Sequence, residues 1–205
     1  MTVPHTIRIL AASALLALAA CQQAPAEAPP LAEGTWTVDS DASRLNYVSV
    51  KSGEIAENNH FTGLSGSVAP DGAATVEIDL ATVSTGVDIR NERMREIFFN
   101  VAEFPKATIT AQVDPAAFEA LAVGESTTQP LKGTLSVKGA ETAIDTEVDV
   151  TRVSADRVLV ASKEPVIVYA DALDLTEGLA QLQQLAGLPS ITPAVPVTFS
   201  IAFER

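Results

Sequence analysis

The chain has 205 residues, 47% of them hydrophobic and 19% charged, with a mean hydropathy of +0.22. That is enough apolar material for the core of one domain and excludes disorder over the whole length. Thirteen Lys and Arg stand against 26 Asp and Glu, a net charge of −13 at pH 7, which argues against partners with phosphate backbones such as nucleic acid. One Cys and two His exclude disulfide scaffolds, Cys-rich zinc sites, iron–sulfur clusters and c-type haem attachment.

Residues 1–20 have the order of a secretory signal. Arg8 and no acid precede the apolar run Ile9 to Leu18, and small residues follow it. The run is short for a membrane span. Leu18-Ala19-Ala20-Cys21 resembles the lipobox of bacterial lipoproteins, which implies cleavage before Cys21 and acylation of that Cys. More than one acyl chain would hold the protein stably on a bilayer. Gln22 after the Cys implies, by the same resemblance, the periplasmic side of the outer membrane. Residues 21–33 then form a tether. Pro25, Pro29 and Pro30 favour extended polyproline conformation, and at about 3.1 Å per residue the tether reaches roughly 35 Å.

From Gly34 the periodicity is two. Strands are predicted at Thr35–Asp39, Ser43–Lys51, Phe61–Ala69, Thr75–Leu80, Thr108–Val113, Leu131–Val137, Ala143–Val150, Val158–Tyr169 and Val195–Phe203. Pro70-Asp71-Gly72, Lys138-Gly139 and Ala155-Asp156-Arg157 supply turns between them. Two segments break the pattern. Arg90–Phe99 suits a short helix or turn, and Leu173–Leu188 suits a longer helix. Its expected start is a capping box of Asp174 and Glu177, its apolar face Leu175, Leu179, Leu182 and Leu185 or Ala186, and its stop Gly187.

So many strands and so few helices must hide their edges in a sandwich or a closed barrel. The expected fold is all-β, an extended antiparallel lipocalin-like barrel of about eight strands with one or two short helices, occupying residues 34–205. Aromatics make up only 5%, so the inner face is lined mainly by Val, Ile, Leu and Ala. A barrel of about eight strands is either packed by side chains or holds one ligand.

Ordered motifs now carry a resemblance. Trp36-Thr37-Val38-Asp39 leads to Ser43-Arg44-Leu45-Asn46-Tyr47, then His60-Phe61-Thr62-Gly63 with Gly66. Val83-Ser84-Thr85, Arg90-Asn91-Glu92-Arg93-Met94, Phe98-Phe99-Asn100, Phe104-Pro105 and Gly133 to Gly139 follow. Their order and spacing resemble the YceI-like family of periplasmic lipid- and polyisoprenoid-binding proteins. The resemblance implies a barrel whose long apolar pore takes an isoprenoid chain or similar amphiphile. It departs from the family where Ala42-Ser43 replaces a common His-Ser pair, and in the Leu173–Leu188 helix with its Pro-rich sequel.

The expected function is to carry or sequester a long-chain amphiphile: an isoprenoid quinone, a polyprenyl phosphate or a fatty-acid-like lipid. The alternative is a structural lipoprotein with a filled barrel core and an acidic surface for a periplasmic partner. Candidate ligand contacts are Trp36, Tyr47, His60, Phe61, Arg90, Arg93, Met94, Phe98 and Phe99. Arg90, Arg93 and Arg95 concentrate positive charge suited to phosphate or carboxylate, or else pair with Glu92 and Glu96 on a solvated face. Trp36 is a barrel plug or a stacking group. Phe98 and Phe99 line a pore mouth or anchor the short helix. His60 meets a head group or sits as an ordinary strand residue. As the only His after residue 20 it has no visible orienter, so no enzyme, metal site or cofactor is expected beyond the bound lipid itself.

Overall fold

The computed structural model describes residues 30–119 and 121–205. The expected signal segment 1–20, Cys21 and most of the tether lie outside the described residues.

The chain forms a closed eight-membered antiparallel barrel in which each arm pairs with its neighbour in sequence. The arms are β1 (Trp36–Lys51), β2 (Ile55–Phe61) continued by β3 (Leu64–Val68), and β4 (Ala73–Asp79). A two-residue strand, β5 (Val83–Ser84), adds to the edge of β2. Then come β6 (Lys106–Gln112), β7 (Ser126–Val137), β8 (Ala140–Arg152), β9 (Arg157–Ser162) continued by β10 (Val166–Tyr169), and β11 (Ala194–Glu204). Pairing of β1 with β11, from Thr37↔Glu204 to Tyr47↔Val197, closes the ring between its first and last arms.

Three expectations need correction. Thr35–Asp39 and Ser43–Lys51 are one strand rather than two. Phe61–Ala69 is not one strand: the extended segment begins six residues earlier, at Ile55, and breaks at Thr62-Gly63. Val158–Tyr169 is likewise two strands, broken across Lys163 to Pro165, where Pro165 offers no N–H to a ladder.

The irregularity inside β1 has a purpose in the packing. Between Asp39↔Ala202 and Arg44↔Ser200, five steps along β1 match two along β11. An odd surplus reverses the parity of the strand. Trp36 and Val38 face inward before the bulge, and Leu45 and Tyr47 face inward after it. Side-chain hydrogen bonds hold the loop. The Asp39 carboxylate accepts from the Asp41 and Ala42 amides, and Ser43 Oγ donates to the Asp39 carbonyl at 2.6 Å. The same Ser43 hydroxyl, 1% exposed, accepts from the Ala202 amide at 3.0 Å. Ser40 Oγ reaches across to the Thr62 carbonyl and the Leu64 amide, so the bulge in β1 fills the break between β2 and β3.

Gly66 permits the close approach of β3 to β4. Its φ is +141°, and a Cβ there would fall 2.1 Å from the Thr75 carbonyl oxygen.

Helical segments gather at one end of the barrel. Helix α1 (Asp88–Arg93) runs directly into a wider π-type turn, Met94–Phe99, ended by Asn100 at φ 52°. A one-turn helix, α2 (Ala116–Glu119), lies near the opposite end. Helix α3 (Thr176–Ala186) packs on the π-type turn, where Gly178 lies against Phe98. Gly187 ends α3 at φ 62°, as expected. The expected capping box is absent: Asp174 is left-handed at φ 54°, and the helix starts after Leu175 with no side-chain cap. Leu175 and Leu182 are buried, whereas Leu185 is exposed. At the opposite end Gly34 rests against the Arg205 guanidinium, so both ends of the described barrel meet there.

Replacing Ser43 with Ala removes the acceptor of a buried amide and a donor to Asp39. The expected loss is roughly 1–3 kcal/mol of stability. It is read as a lower urea midpoint at unchanged slope, and an unshifted midpoint would show that the bulge holds without this hydroxyl.

Candidate ligand-binding site

The inward positions of the arms surround a cavity of about 490 Å³, within the usual range for small-molecule sites. Its wall follows the two-residue period. Val76 and Ile78 come from β4, Ala107, Ile109 and Ala111 from β6, and Val195, Val197, Phe199, Ile201 and Phe203 from β11. Leu131, Leu135 and Val137 of β7 and Val166 and Val168 of β10 continue it. The barrel is therefore not packed solid by its own side chains.

The β1–β2 ladder changes character along the cavity. Leu45 faces Phe61, then Tyr47 faces Asn59, then Ser49 faces Glu57, and all six line the space. Apolar pairs thus give way to neutral polar and then charged ones toward the helix end. The Tyr47 hydroxyl and Asn59 Oδ1 are buried without a hydrogen-bond partner. Asn59 Nδ2 is occupied, donating to Ser49 Oγ at 3.0 Å and to the Glu57 carbonyl at 3.1 Å. Burial pushes the Tyr47 hydroxyl above its ordinary pKa, against a smaller downward pull from Arg90. Tyr47 therefore stays protonated and keeps a donor to offer. Buried polar atoms left unmatched are costly, and these two face an apolar space together.

Beyond them lies a charged rim. Glu57 Oε2 accepts from Lys51 Nζ at 2.9 Å and from Arg90 Nη1 at 2.7 Å. Desolvation raises the Glu57 pKa, but these two cations outweigh it and hold the carboxyl below the usual glutamate value. Arg90 is fixed on its other side by the chain after β5. Its Nε donates to Thr85 Oγ1 at 2.8 Å and its Nη2 to the Thr85 carbonyl. The Thr85 hydroxyl and amide in turn donate to Asn91 Oδ1 at 2.7 and 2.8 Å. The spacing of Thr85, Arg90 and Asn91 in the sequence is thus the spacing of one clamp. Arg93 Nη1 donates to the Leu185 carbonyl on α3 at 3.3 Å. Three cations and one carboxylate make the ionisable lining net positive in an acidic chain.

Tyr47, Phe61, Arg90, Arg93, Met94, Phe98 and Phe99 all line the cavity. Trp36 and His60 do not. Trp36 sits at the opposite end of β1, packed partly buried against the core. His60 is exposed on β2, directed outward by the alternation that turns Asn59 and Phe61 inward, and it pairs with Ser84 of β5. Arg90 pairs with Glu57 rather than with Glu92 of its own helix. Phe99 contacts both Phe61 and Phe98, with ring centroids 5.9 and 4.8 Å apart, so the pair anchors the π-type turn and lines the space at once. Lys138 Nζ, from the β7–β8 turn, supports the same turn at the Phe98 carbonyl. Lys51, Glu57, Asn59 and Thr85 were not legible as site residues. Their signal was the alternation Glu57, Asn59, Phe61, hidden because its inward members are polar. Among the described residues no group of three or more His, Cys, Asp or Glu side chains is placed to hold a metal ion.

Comparison with known proteins places this geometry. The model of the YceI-like domain matches residues 36–203. A polyisoprenoid binding domain from Saccharophagus degradans, implicated in plant cell wall breakdown, is similar in structure with a TM-score of 0.82 at 39% identity, covering 84% of this chain and 99% of that one. Two more distant structures share the fold. BcnA of Burkholderia cenocepacia has a TM-score of 0.60 at 18% identity, covering 80% of this chain and 98% of its own. The YCEI protein of Campylobacter jejuni has a TM-score of 0.52 at 12% identity, covering 72% of this chain and 84% of its own. No curated protein sequence matches this chain. With the family model spanning nearly all of the described barrel, the chain belongs to the YceI-like domain family.

Proposed function

We propose that the barrel holds a long-chain amphiphile: an isoprenoid quinone, a polyprenyl phosphate or a fatty-acid-like lipid. Its hydrocarbon tail lies along the lumen and its head group meets the Tyr47–Asn59 pair beneath the Lys51, Arg90 and Arg93 rim. One observation carries the reading: an apolar cavity has two unpartnered polar atoms, Tyr47 Oη and Asn59 Oδ1, at the end where its wall turns polar. Each CH₂ moved from water into such a lumen contributes about 0.8 kcal/mol, so tail burial supplies affinity and the polar pair supplies orientation. The polyisoprenoid binding domain at 39% identity supports the same ligand class. The proposed role is binding, with the acidic group of the lining committed to two cations.

The proposal extends to location. Acylated Cys21, followed by the Pro-rich tether, anchors the barrel on the periplasmic face of the outer membrane. Radiolabelled palmitate is expected in the protein and to disappear with Cys21→Ser, which also releases the chain from the membrane fraction. Label retained by that variant would remove the anchor from the reading.

Organic extraction of the purified protein followed by mass spectrometry is expected to yield a lipid in stoichiometric amount. A protein that purifies empty and takes up no quinone, polyprenyl phosphate or fatty acid overturns the ligand reading. Tyr47→Phe separates a binding role from a structural one. The hydroxyl has no partner within the protein, so its removal leaves stability unchanged or slightly raised. Ligand affinity is expected to fall about fivefold, the equivalent of roughly 1 kcal/mol. Equal affinity in titration calorimetry would mean that the head group does not meet Tyr47.

A further inference from the structure

The barrel wall is not continuous over its full height. β8 pairs with β7 along its whole length, but with β9 only from Val148 to Arg152. The arm that continues from β9 breaks at Lys163 to Pro165, and beyond the break β10 pairs with β11 alone. Its register has moved as well: Ala161 faces Ser200, whereas Val166 faces Val197, so five residues of the arm match three of β11. Between Ala140–Glu147 of β8 and Val166–Tyr169 of β10 there is consequently a slit with no strand pairing among the described residues.

A second cavity, of about 540 Å³, occupies this slit from the outside. Ile144 of β8 and Val166 of β10 belong to the walls of both the outer cleft and the lumen. Only two apolar side chains, one from each lip, are therefore common to the two spaces. At the foot of the slit Lys163 joins the lips twice, its amide donating to the Glu147 carbonyl at 3.1 Å and its Nζ pairing with Glu147 Oε2 at 3.1 Å. The outward faces of β10 beside it carry Ile167 and Tyr169, 48% and 53% exposed. The Asp145, Glu147 and Glu164 carboxylates border the cleft, so it suits an uncharged chain better than an anionic head.

We propose that the β8–β10 slit is the passage through which a hydrocarbon chain enters and leaves the lumen, with Ile144 and Val166 as its gate and Lys163–Glu147 as its latch. The proposal rests on the reading of the lumen as a lipid site. An edge without ladder hydrogen bonds opens at lower cost than a paired one, because above the Lys163–Glu147 contact no ladder bond is lost when the lips part. Val166 and Tyr47 both face Val197 of β11, so a tail passing between Ile144 and Val166 enters with only that strand between it and the start of the polar ladder.

The test uses the full chain carrying Cys21→Ser and the fluorescent fatty acid cis-parinaric acid, followed by stopped-flow mixing. Lys163→Ala, on the surface, is expected to raise the association and dissociation rates together by about threefold, with Kd within twofold of the parent. Val166→Trp, which fills the gate and also narrows the lumen, is expected to lower the association rate about threefold, its Kd being read separately. Leu188→Trp, on the lumen wall after α3, serves as the comparison at the helix end. Rates that respond to Leu188→Trp but to neither slit variant overturn the passage and place entry among the helices. A parent protein that takes up no probe overturns the lipid-site reading itself, a result distinct from uptake at rates indifferent to the slit. Should Val166→Trp fail to fold, the Lys163→Ala rates alone decide, and unchanged rates there reject the latch.

Discussion

Everything in this molecule depends on closing a sheet around a space that its own side chains do not fill. An apolar void forfeits dispersion contacts on every wall, so a protein that keeps one must find stability elsewhere. Here it lies in the ring of antiparallel ladders, completed by the β1–β11 pairing that joins the first and last arms. Aliphatic inward positions make the void possible. Ala107, Ala111, Val76 and Val160 are short side chains on its wall, and the ring contacts of Phe61, Phe98 and Phe99 gather near one end.

The second constraint is parity. A strand that alternates strictly presents one set of side chains to the inside, and β1 needs two different sets. Its first stretch supplies Trp36 and Val38 to the packed end; its last supplies Tyr47 and Ser49 to the cavity. The bulge between Asp39 and Arg44 makes the change, and the Ser43 hydroxyl binds it to β11. Ser43 is one of the few buried polar residues, and it acts on the site without touching it.

The sequence was most legible where burial and polarity agreed. Alternation in β4, β6, β7, β8 and β11 marked both the strands and their inward faces, because those faces are apolar. It failed where they disagreed. Ile55–Phe61 carries Glu57 and Asn59 inward, so a reading based on hydrophobicity sees a polar loop and starts the strand at Phe61. The same mismatch hid the site, whose unmatched atoms are polar groups on an inner face. Asp174 failed for another reason. Its spacing to Glu177 fits a capping box, but the preceding turn at Asp171–Leu173 throws it into a left-handed conformation and the helix begins later. His60 and Trp36 drew attention by rarity, and rarity says nothing about which side of a sheet a residue faces.

These features divide the barrel along its axis. Near the chain ends β1 is paired with both β11 and β3, and β8 with both β7 and β9, although Ser126–Lys132 of β7 has β8 alone. Arg152 is almost fully buried and donates to the Leu121 carbonyl at 2.7 Å, and Arg157 bridges Asp39 and Glu204 across the closing strands. Near the helices the pairing thins: β5 is two residues long, β10 has one neighbour, and the upper part of β8 has one. Local opening follows the density of buried contacts and ladder bonds. The helix end also carries the orphaned polar atoms, the cationic rim and the slit. On the proposed reading the slit parts to admit a ligand while the β1–β11 pairing keeps the ring shut.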